Sequence, residues 1–473
     1  MLLVGDIMAH VQLNMVVGIQ WRLRNLKRLS LKSIGLLSFI LSIMVWWLGS
    51  YPAILSFDSL EIWKDVSSSN FGDAHTFTYE FLIYLFSIGG RFLAAATLVQ
   101  SILLYVALYF SVGHFFSNWK AGKKILLTSS LYVTPFFGPY GVTLWKDTVF
   151  ASLTIIGIFL IINSNKYNST KYLLGVISLT LGTLCRHEAW LTLLIVIIVL
   201  GTINLCGWII TERITLLALG IALLLVLASN IVIFNTESIE KTPSWGKYVT
   251  LLTEIEYVAS KYPEVVNEVD LKKLHSISAG LSFENIKKCE SINGMIYSKG
   301  FSSSMAEKYS NQIPQIWLRI ARSGGAAYLG EARYCRINSF LPPPFGKAPK
   351  HGYWIDNGIV QPNSQNLTQK SLIPYLNYLL LFWSFLWQAN GSLIAWPGLQ
   401  LLIFLLCTGF LFKHKLLSKS HFLLSTFLIS RTFTLLLTAV AQDFRYQFLL
   451  NLISIPLLTF AVTKYFSKEV NES

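Results

Sequence analysis

Long apolar runs recur along most of this chain, and they limit its possible folds more than any other feature. The chain has 473 residues, of which 53% are hydrophobic and only 13% are charged. About 20 apolar residues cross the roughly 30 Å hydrocarbon layer of a membrane as a helix, because lipid offers the backbone no hydrogen-bond partners. The sequence predicts an all-α polytopic membrane protein with about ten transmembrane helices, at residues 31–50, 92–116, 125–143, 148–163, 172–185, 189–206, 214–234, 393–412, 420–441 and 446–463.

The net charge of +14 follows this topology and does not indicate a nucleic-acid partner. The short outer loops carry five Lys and Arg against eight acidic residues. Sixteen basic residues lie in the predicted inner loops and termini: Arg22, Arg24, Lys27, Arg28, Lys32, Lys120, Lys123, Lys124, Lys166, Lys171, Arg213, Lys413, Lys415, Lys419, Lys464 and Lys468. Because Lys and Arg concentrate on the cytoplasmic side, we expect a multi-pass protein of the cytoplasmic membrane with both termini in the cytoplasm.

Three regions follow from the spacing of the spans. Residues 1–234 form an N-terminal membrane module of about seven spans, and residues 51–91 form its first outer loop. The basic stretch Arg22–Lys32 leads directly into the first span, which predicts an uncleaved anchor. Residues 235–370 form a polar, mostly helical extracytoplasmic insert. Residues 371–473 form a C-terminal module of about three spans, opened by an interfacial helix over 371–388.

Two cysteines, Cys289 and Cys335, lie in the predicted insert. They can pair in an oxidising compartment or remain two buried thiols.

The first outer loop contains two candidate functional residues. Asp58 can deprotonate an acceptor hydroxyl, ligate a divalent cation such as Mg²⁺ or Mn²⁺, or simply cap the helix that follows. His75 can orient a donor phosphate or act as an acid, or it can be structural. The sequence has no metal-ligand spacing, P-loop or GxGxxG motif, so no cofactor is firmly predicted.

Two hairpins carry charged residues at their outer turns. Lys146 and Asp147 lie at the turn of 125–163, and Arg186 and His187 lie at the turn of 172–206. Each hairpin has fewer than the ~40 residues that two crossings need, so the turns should lie slightly below the outer surface. Charges there are tolerated when they are paired or face a wet cavity, and Arg is well suited to binding phosphate in such a place. The alternative for Lys146 and Asp147 is an interfacial ion pair.

The C-terminal module adds two arginines. Arg445 begins the last span on the same outer face, where it can bind a lipid phosphate or extend to the headgroups. Arg431 lies near the middle of the ninth span, where a charge is costly and is normally paired or turned towards a cavity. It is therefore a functional candidate whose partner the sequence does not identify.

The order of these elements resembles a family of bacterial polytopic membrane proteins of unknown function grouped with the GT-C glycosyltransferase clan. The matching segments run over nearly the whole chain: SYPAILSFDSLEIWKDV, HTFTYEFLIYLF, LWKDTVFA, LCRHEAW and AQDFRYQFLL. Two positions depart from the family pattern. Ala53 follows Pro52 where the family has glycine, and Thr76 follows the histidine where the family has proline.

The resemblance implies a transferase that takes a sugar from a polyprenyl-phosphate donor and adds it to a glycan or lipid-linked acceptor at the outer membrane face. Asp58 matches the family's catalytic acid. The positions that match a phosphate and acceptor site are His75, Lys146, Asp147, Arg186 and Arg445.

Two other functions remain open at this point. A transporter or flippase for a lipid-linked glycan or another anion is favoured by Arg431, because buried charges often mark a substrate path. No repeat symmetry relates the two halves of the chain, and the one large insert is asymmetric, which disfavours it. An acyl or phosphoethanolamine transferase is the third possibility, although the zinc-ligand or His-rich segments expected of these enzymes are missing.

Overall fold

The structure is a computed structural model. The residues that it describes are 31–164, 169–206, 213–237, 239–280, 285–286, 293–297, 299–348, 358–389, 396–416, 418–439 and 443–472. Helices form the secondary structure of these residues, apart from isolated β-bridges between loops. The predicted all-α class is therefore confirmed for the described part of the chain, whereas the basic stretch of the predicted anchor lies almost wholly outside it.

Ten helices follow one another in the N-terminal module within the described residues. They are α1 Leu31–Gly49, α2 Phe57–Ser68, α3 Phe77–Phe86, α4 Leu93–Phe115, α5 Ala121–Val133, α6 Gly138–Val142, α7 Lys146–Ile162, α8 Ser169–Leu184, α9 Ala189–Leu205 and α10 Arg213–Asn235. Eight of them overlap the seven predicted spans, because α5 and the short α6 both overlap the predicted span 125–143. The other two, α2 and α3, belong to the first outer loop.

The hairpin of α5 to α7 is broken where its prolines lie. The predicted span 125–143 is not one helix, because α5 ends at Val133 and the short α6 follows only after an irregular turn. Pro135 and Pro139 have no backbone N–H and disfavour helix in the residues before them. The irregular segment then leads to α7, and so places the side chains at its first turn.

Close approach of α7 and α8 depends on two glycines. A Cβ on Gly157 would lie 2.7 Å from the backbone nitrogen of Leu179, and one on Gly175 would lie 2.8 Å from Cγ1 of Ile161. Small residues allow membrane helices to pack at short range, where dispersion and backbone contacts replace the hydrophobic effect. The two outer turns that flank this helix pair are thereby held near each other.

The insert has a hydrophobic core of its own. Its helices are α11 Val249–Lys261, α12 Glu268–Ile277, α13 Asn293–Ile296, α14 Ser303–Lys308, α15 Ile313–Ile320 and α16 Ala326–Ile337, followed by the 3₁₀ turn Asn338–Phe340. Leu252, Ile255 and Val258 of α11 pack with Leu274 and Ile316 in a cluster separate from the core of the membrane helices. The insert is thus a folded unit on the membrane modules.

Cysteine pairing agrees with an oxidising location of the insert. Cys335 takes part in a disulfide, whereas Cys185, Cys206 and Cys407 are free thiols. Cys289, the other cysteine of the predicted pair, lies outside the described residues. Disulfides persist mainly in extracytoplasmic compartments, and the outer position of the insert stays a prediction.

A carboxylate is buried inside the insert. Glu256 on α11 is fully buried, and an interaction with the Ser278 side chain offsets only part of the cost of burying its charge. Burial raises the pKa of Glu256 well above its ordinary value of 4.5, because the charged form loses its hydration.

We expect the Glu256→Gln variant to be more stable than the wild type at pH 8 and to lose this advantage towards pH 5. The folded insert keeps a proton that the unfolded chain releases above its own lower pKa, so the wild type loses stability as the pH rises through this range. Thermal unfolding of the purified protein between pH 5 and pH 8 measures the difference. Glu264→Gln, at an exposed position, is the control. Parallel pH dependences of the Glu256→Gln variant and the wild type would contradict the expectation.

The C-terminal module begins with a helix that exposes aromatic side chains on the protein surface. Its helices are α17 Pro374–Ala389, α18 Pro397–Lys413, α19 Lys419–Thr438 and α20 Phe448–Glu472, and the 3₁₀ turn Phe444–Gln447 precedes α20. On α17, Tyr375, Tyr378 and Phe382 are exposed, while Leu380 is buried next to Gly49 of α1. Aromatic side chains of this kind are typical of the membrane–water interface. The interfacial position of α17 stays a prediction.

Four described helical segments are long and apolar enough to cross a membrane. They are Leu93–Phe115, Ile214–Asn235, Ser420–Thr438 and Arg445–Ser467. Several other apolar helices are shorter, including α1, α8, α9 and α18. These segments indicate a membrane protein that contacts lipid, while the predicted total of ten spans stays a prediction.

Candidate functional site

The first outer loop is held between two other parts of the chain just before Asp58. Ile54 donates its N–H to the carbonyl oxygen of Val142 at 2.9 Å. On the other side, Leu55 donates to Gly358 at 3.0 Å and accepts from Val360 at 3.1 Å. Residues 54 and 55 therefore lie between the segment that leads to α7 and the segment that leaves the insert.

The start of α2 is fixed to the segment that precedes α7. Ser56 is the N-cap, since its Oγ accepts from the N–H of Ser59 at 3.3 Å, and it also accepts from Nε1 of Trp145 at 3.1 Å. Ser59 Oγ donates to the carbonyl oxygen of Leu144 at 2.9 Å. The capping alternative for Asp58 is wrong, because the cap lies two residues earlier. Asp58 is instead a first-turn residue with a side chain 49% exposed.

Arg445 connects Asp58 to the C-terminal module. Its Nε donates to Oδ2 of Asp443 at 2.6 Å, and its Nη1 lies 3.5 Å from Oδ2 of Asp58. The guanidinium lies 4.7 Å above the ring of Trp145. Arg445 thus forms a short ion pair with Asp443 and a longer one with Asp58.

A buried ion network lies beside the contact between Arg445 and Asp58. Arg186 pairs through Nη1 with Asp147 and through Nε with Glu188, whose Oε1 is 2.7 Å away. Arg431 donates from Nη2 to the same oxygen of Glu188 at 2.9 Å. The Arg186 guanidinium lies 4.7 Å from the centroid of the Tyr446 ring. Arg431 therefore has a partner after all, the Glu188 carboxylate, which the two arginines share.

Lys146 is the cation of this group that forms no ion pair with any described residue. No carboxylate within the described residues lies within salt-bridge distance of its Nζ, although Lys146 interacts electrostatically with Asp58, Arg186, Glu188 and Arg445. Its side chain is half-buried. We refer to the whole group as the charged centre; its members are Asp58, Lys146, Asp147, Arg186, Glu188, Arg431, Asp443 and Arg445.

The two candidate histidines form their ion pairs outside the network, although His187 interacts electrostatically with Lys146 and Glu188. His75 pairs with Glu61 through Nε2 at 3.3 Å, and this hydrogen bond lowers the pKa of Glu61. His187 interacts with Asp73, with Nε2 2.8 Å from its carbonyl oxygen and Nδ1 3.9 Å from its carboxylate. Within the described part of the chain, both histidines therefore have acidic partners in the outer loops, and neither bonds directly to the charged centre.

A further buried acid shapes the first outer loop. Glu80 on α3 is fully buried, and its Oε2 accepts from the N–H of Gly72 at 2.8 Å. Its other carboxylate oxygen has no hydrogen-bond partner within the described residues. Burial raises the pKa of Glu80 to about 8. The hydrogen bond fixes the loop directly before Asp73 and His75.

A divalent cation at Asp58 stays a prediction. Mg²⁺ and Mn²⁺ prefer several oxygen ligands, whereas Asp58 faces the guanidinium of Arg445. Among the described residues, no group of three or more His, Cys, Asp or Glu side chains is arranged to hold a metal ion. We therefore assign no step to a metal.

Six of the eight residues predicted as a site belong to the charged centre, and His75 and His187 do not. Glu188, Asp443, Trp145 and Tyr446 also line this region and were not among the predicted site residues. Glu188 and Asp443 were visible as acids beside Arg186 and Arg445. The two aromatic residues gave no comparable signal, because tryptophan and tyrosine are common at membrane surfaces.

Comparison with protein-family models, with curated proteins and with solved structures finds no match for this chain.

Proposed function

We propose that the chain is a membrane glycosyltransferase that takes a sugar from a polyprenyl-phosphate donor and adds it to a glycan or lipid-linked acceptor at the extracytoplasmic face. The observation that carries the proposal is the position of Asp58. Its half-exposed carboxylate lies 3.5 Å from Arg445 and within electrostatic range of Lys146, for which the described residues offer no ion pair. A carboxylate that can act as a general base therefore contacts one cation and lies within electrostatic range of a second.

The reaction follows from what these groups can do. Asp58 accepts the proton of an acceptor hydroxyl, and the hydroxyl oxygen attacks the anomeric carbon of the donor sugar. The bond between that carbon and the phosphate oxygen breaks, and the bonding electrons leave with the polyprenyl phosphate. Lys146 and Arg445 stabilise the charge of the leaving phosphate. Displacement from the opposite side inverts the anomeric configuration.

The pairing of the cations divides their roles. Arg186 and Arg431 are both bound to Glu188, and Arg186 is also bound to Asp147, so these residues form the supporting framework. Lys146 keeps its ammonium group available, and Arg445 has one long contact that an incoming phosphate can replace. A lipid phosphate bound there would separate Arg445 from Asp58 and leave the carboxylate to the acceptor.

Replacing Lys146 with Met should weaken binding of a polyprenyl phosphate by about 10- to 100-fold, the usual value of a hydrogen bond to a charged group. Thermal unfolding should not become easier, because the substitution breaks no ion pair within the described residues. Native mass spectrometry of the detergent-solubilised protein with polyprenyl phosphate, and with the uncharged polyprenol for comparison, measures the affinity. Lys64→Met, at an exposed position of α2, is the matched control. Equal affinities of the Lys146→Met and Lys64→Met variants would reject Lys146 as a phosphate ligand.

A flippase for a lipid-linked glycan is the alternative function. Arg431 favours it, since Nε and Nη1 of this buried side chain lack hydrogen-bond partners within the described residues. Its ion pair with Glu188, however, gives Arg431 a structural role that needs no transported substrate. Proteoliposomes containing the wild-type protein and a fluorescent polyprenyl-phosphate sugar separate the two functions. Sugar transfer without movement of the lipid across the bilayer supports the transferase, and movement without transfer supports the flippase.

A further inference from the structure

The insert reaches the charged centre through the turn that follows α16. Phe340 in this turn is fully buried and packs in a small apolar cluster with Leu435 of α19 and with Ala439. Tyr446 packs against the same cluster, and its ring is nearly parallel to that of Phe340, with centroids 6.5 Å apart and an angle of 11°. The Tyr446 ring is also the one that lies against the Arg186 guanidinium. An uninterrupted set of contacts therefore runs from the insert to Arg186.

A buried arginine joins the insert to the end of α19. Arg336 is 1% exposed, and its Nε donates to the carbonyl oxygen of Ala439 at 2.8 Å. Its Nη2 donates to Oε1 of Glu254 at 2.8 Å. Glu254 is fully buried and also accepts from Arg333 at 2.8 Å and from Trp317 at 2.7 Å. Ala439 directly follows the last residue of α19. The hydrogen bond from Arg336 therefore joins the core of the insert to the helix that carries Arg431.

A close backbone approach adds a contact to α18. A Cβ on Gly398 would collide with the carbonyl oxygen of Leu341, the residue that follows Phe340. The segment from Arg336 to Leu341 therefore contacts α18, the end of α19 and the turn before α20. All three elements belong to the C-terminal module.

We propose that Arg336 and Phe340 are positioning residues, through which the insert fixes Tyr446 and the end of α19 and thereby holds the Arg186 guanidinium in the charged centre. Neither residue bonds to the ionised groups that would meet a substrate. The identity of the ligand rests on the proposed function, whereas the contacts from Arg336 and Phe340 to Tyr446 and the end of α19 do not. Because coupling is reciprocal, a ligand at the centre also stabilises the insert segment that contacts it.

The Phe340→Leu variant should exchange the backbone amides of residues 443–447 about 2- to 10-fold faster than the wild type, which is the usual effect of an aromatic pair on a local opening equilibrium. Hydrogen exchange followed by mass spectrometry measures this rate. Phe345→Leu, at an exposed position five residues later, should leave it unchanged. Exchange in α11 should stay at the wild-type rate, which separates positioning from a general loss of the insert fold. Equal exchange at 443–447 in the Phe340→Leu and Phe345→Leu variants would overturn the inference.

Addition of a polyprenyl phosphate to the wild type supplies the second arm of this experiment. Slower exchange of residues 336–341 with the phosphate, and not with the uncharged polyprenol, supports the reciprocal coupling. If the phosphate has no effect while Phe340→Leu still speeds exchange at 443–447, the connection stands and the proposed ligand is wrong. If the phosphate slows exchange while Phe340→Leu does nothing, the ligand stands and the positioning role is wrong.

Discussion

Asp58→Asn should lower sugar transfer by about 10²- to 10⁴-fold, the range that a general base contributes to catalysis. The amide has nearly the shape of the carboxylate but cannot accept the acceptor's proton. Folding should be preserved, since the cap of α2 is Ser56 and the Asp58 side chain is 49% exposed. Transfer is measured in proteoliposomes with a polyprenyl-phosphate sugar and an added acceptor.

The matched control for this variant is Asp65→Asn, on the same helix and two turns further along. Its side chain belongs to no ion pair within the described residues, so transfer should stay near the wild-type rate. A full rate of transfer in the Asp58→Asn variant would rule out Asp58 as the base. A comparable loss of transfer in both variants would show that disruption of α2, and not the loss of the Asp58 carboxylate, lowers the rate.

Glu188→Gln should destabilise the protein by about 3 to 5 kcal/mol, the usual cost of removing one partner from a buried ion pair. Arg431, with its side chain 2% exposed, would lose its carboxylate partner in a place that water does not reach. Arg186 would keep Asp147 and is less affected. Denaturant unfolding in detergent measures the loss.

Two further variants test whether the shared carboxylate is the cause. The double variant Glu188→Gln with Arg431→Gln should recover part of the lost stability, because the buried cation is removed together with its partner. Glu61→Gln, which breaks the exposed pair with His75, should cost less than about 1 kcal/mol. A Glu188→Gln variant as stable as Glu61→Gln would show that Arg431 does not depend on this carboxylate.

The positions of the charged groups along the chain could be predicted because charges are conspicuous among apolar residues. The short hairpins predicted that the charges at their outer turns are paired or face a cavity, and Asp147 and Arg186 are buried and paired with each other in the structure. What the length of a hairpin does not predict is which charge bonds to which. Arg431 and Glu188 are 243 residues apart, and only the packing of α9 against α19 brings them together.

Which residue caps α2 also could not be predicted without the tertiary structure. Ser56 and Asp58 are both common N-cap residues, and they are two positions apart. The bond from Trp145 to Ser56 belongs to a segment 89 residues away, so the sequence around α2 carried no sign of it. The stacking of Phe340 on Tyr446 is similar, because an apolar residue in a loop gives no indication of the partner it will pack against.

A structure of the protein with bound polyprenyl phosphate, determined by electron cryomicroscopy in lipid nanodiscs, tests the central claim most directly. We expect the phosphate within hydrogen-bond distance of Lys146 Nζ and of the Arg445 guanidinium, with the Asp58 carboxylate beside it and the lipid chain leading into the bilayer. A phosphate bound elsewhere, or an Asp58 carboxylate turned away from it, would contradict the claim.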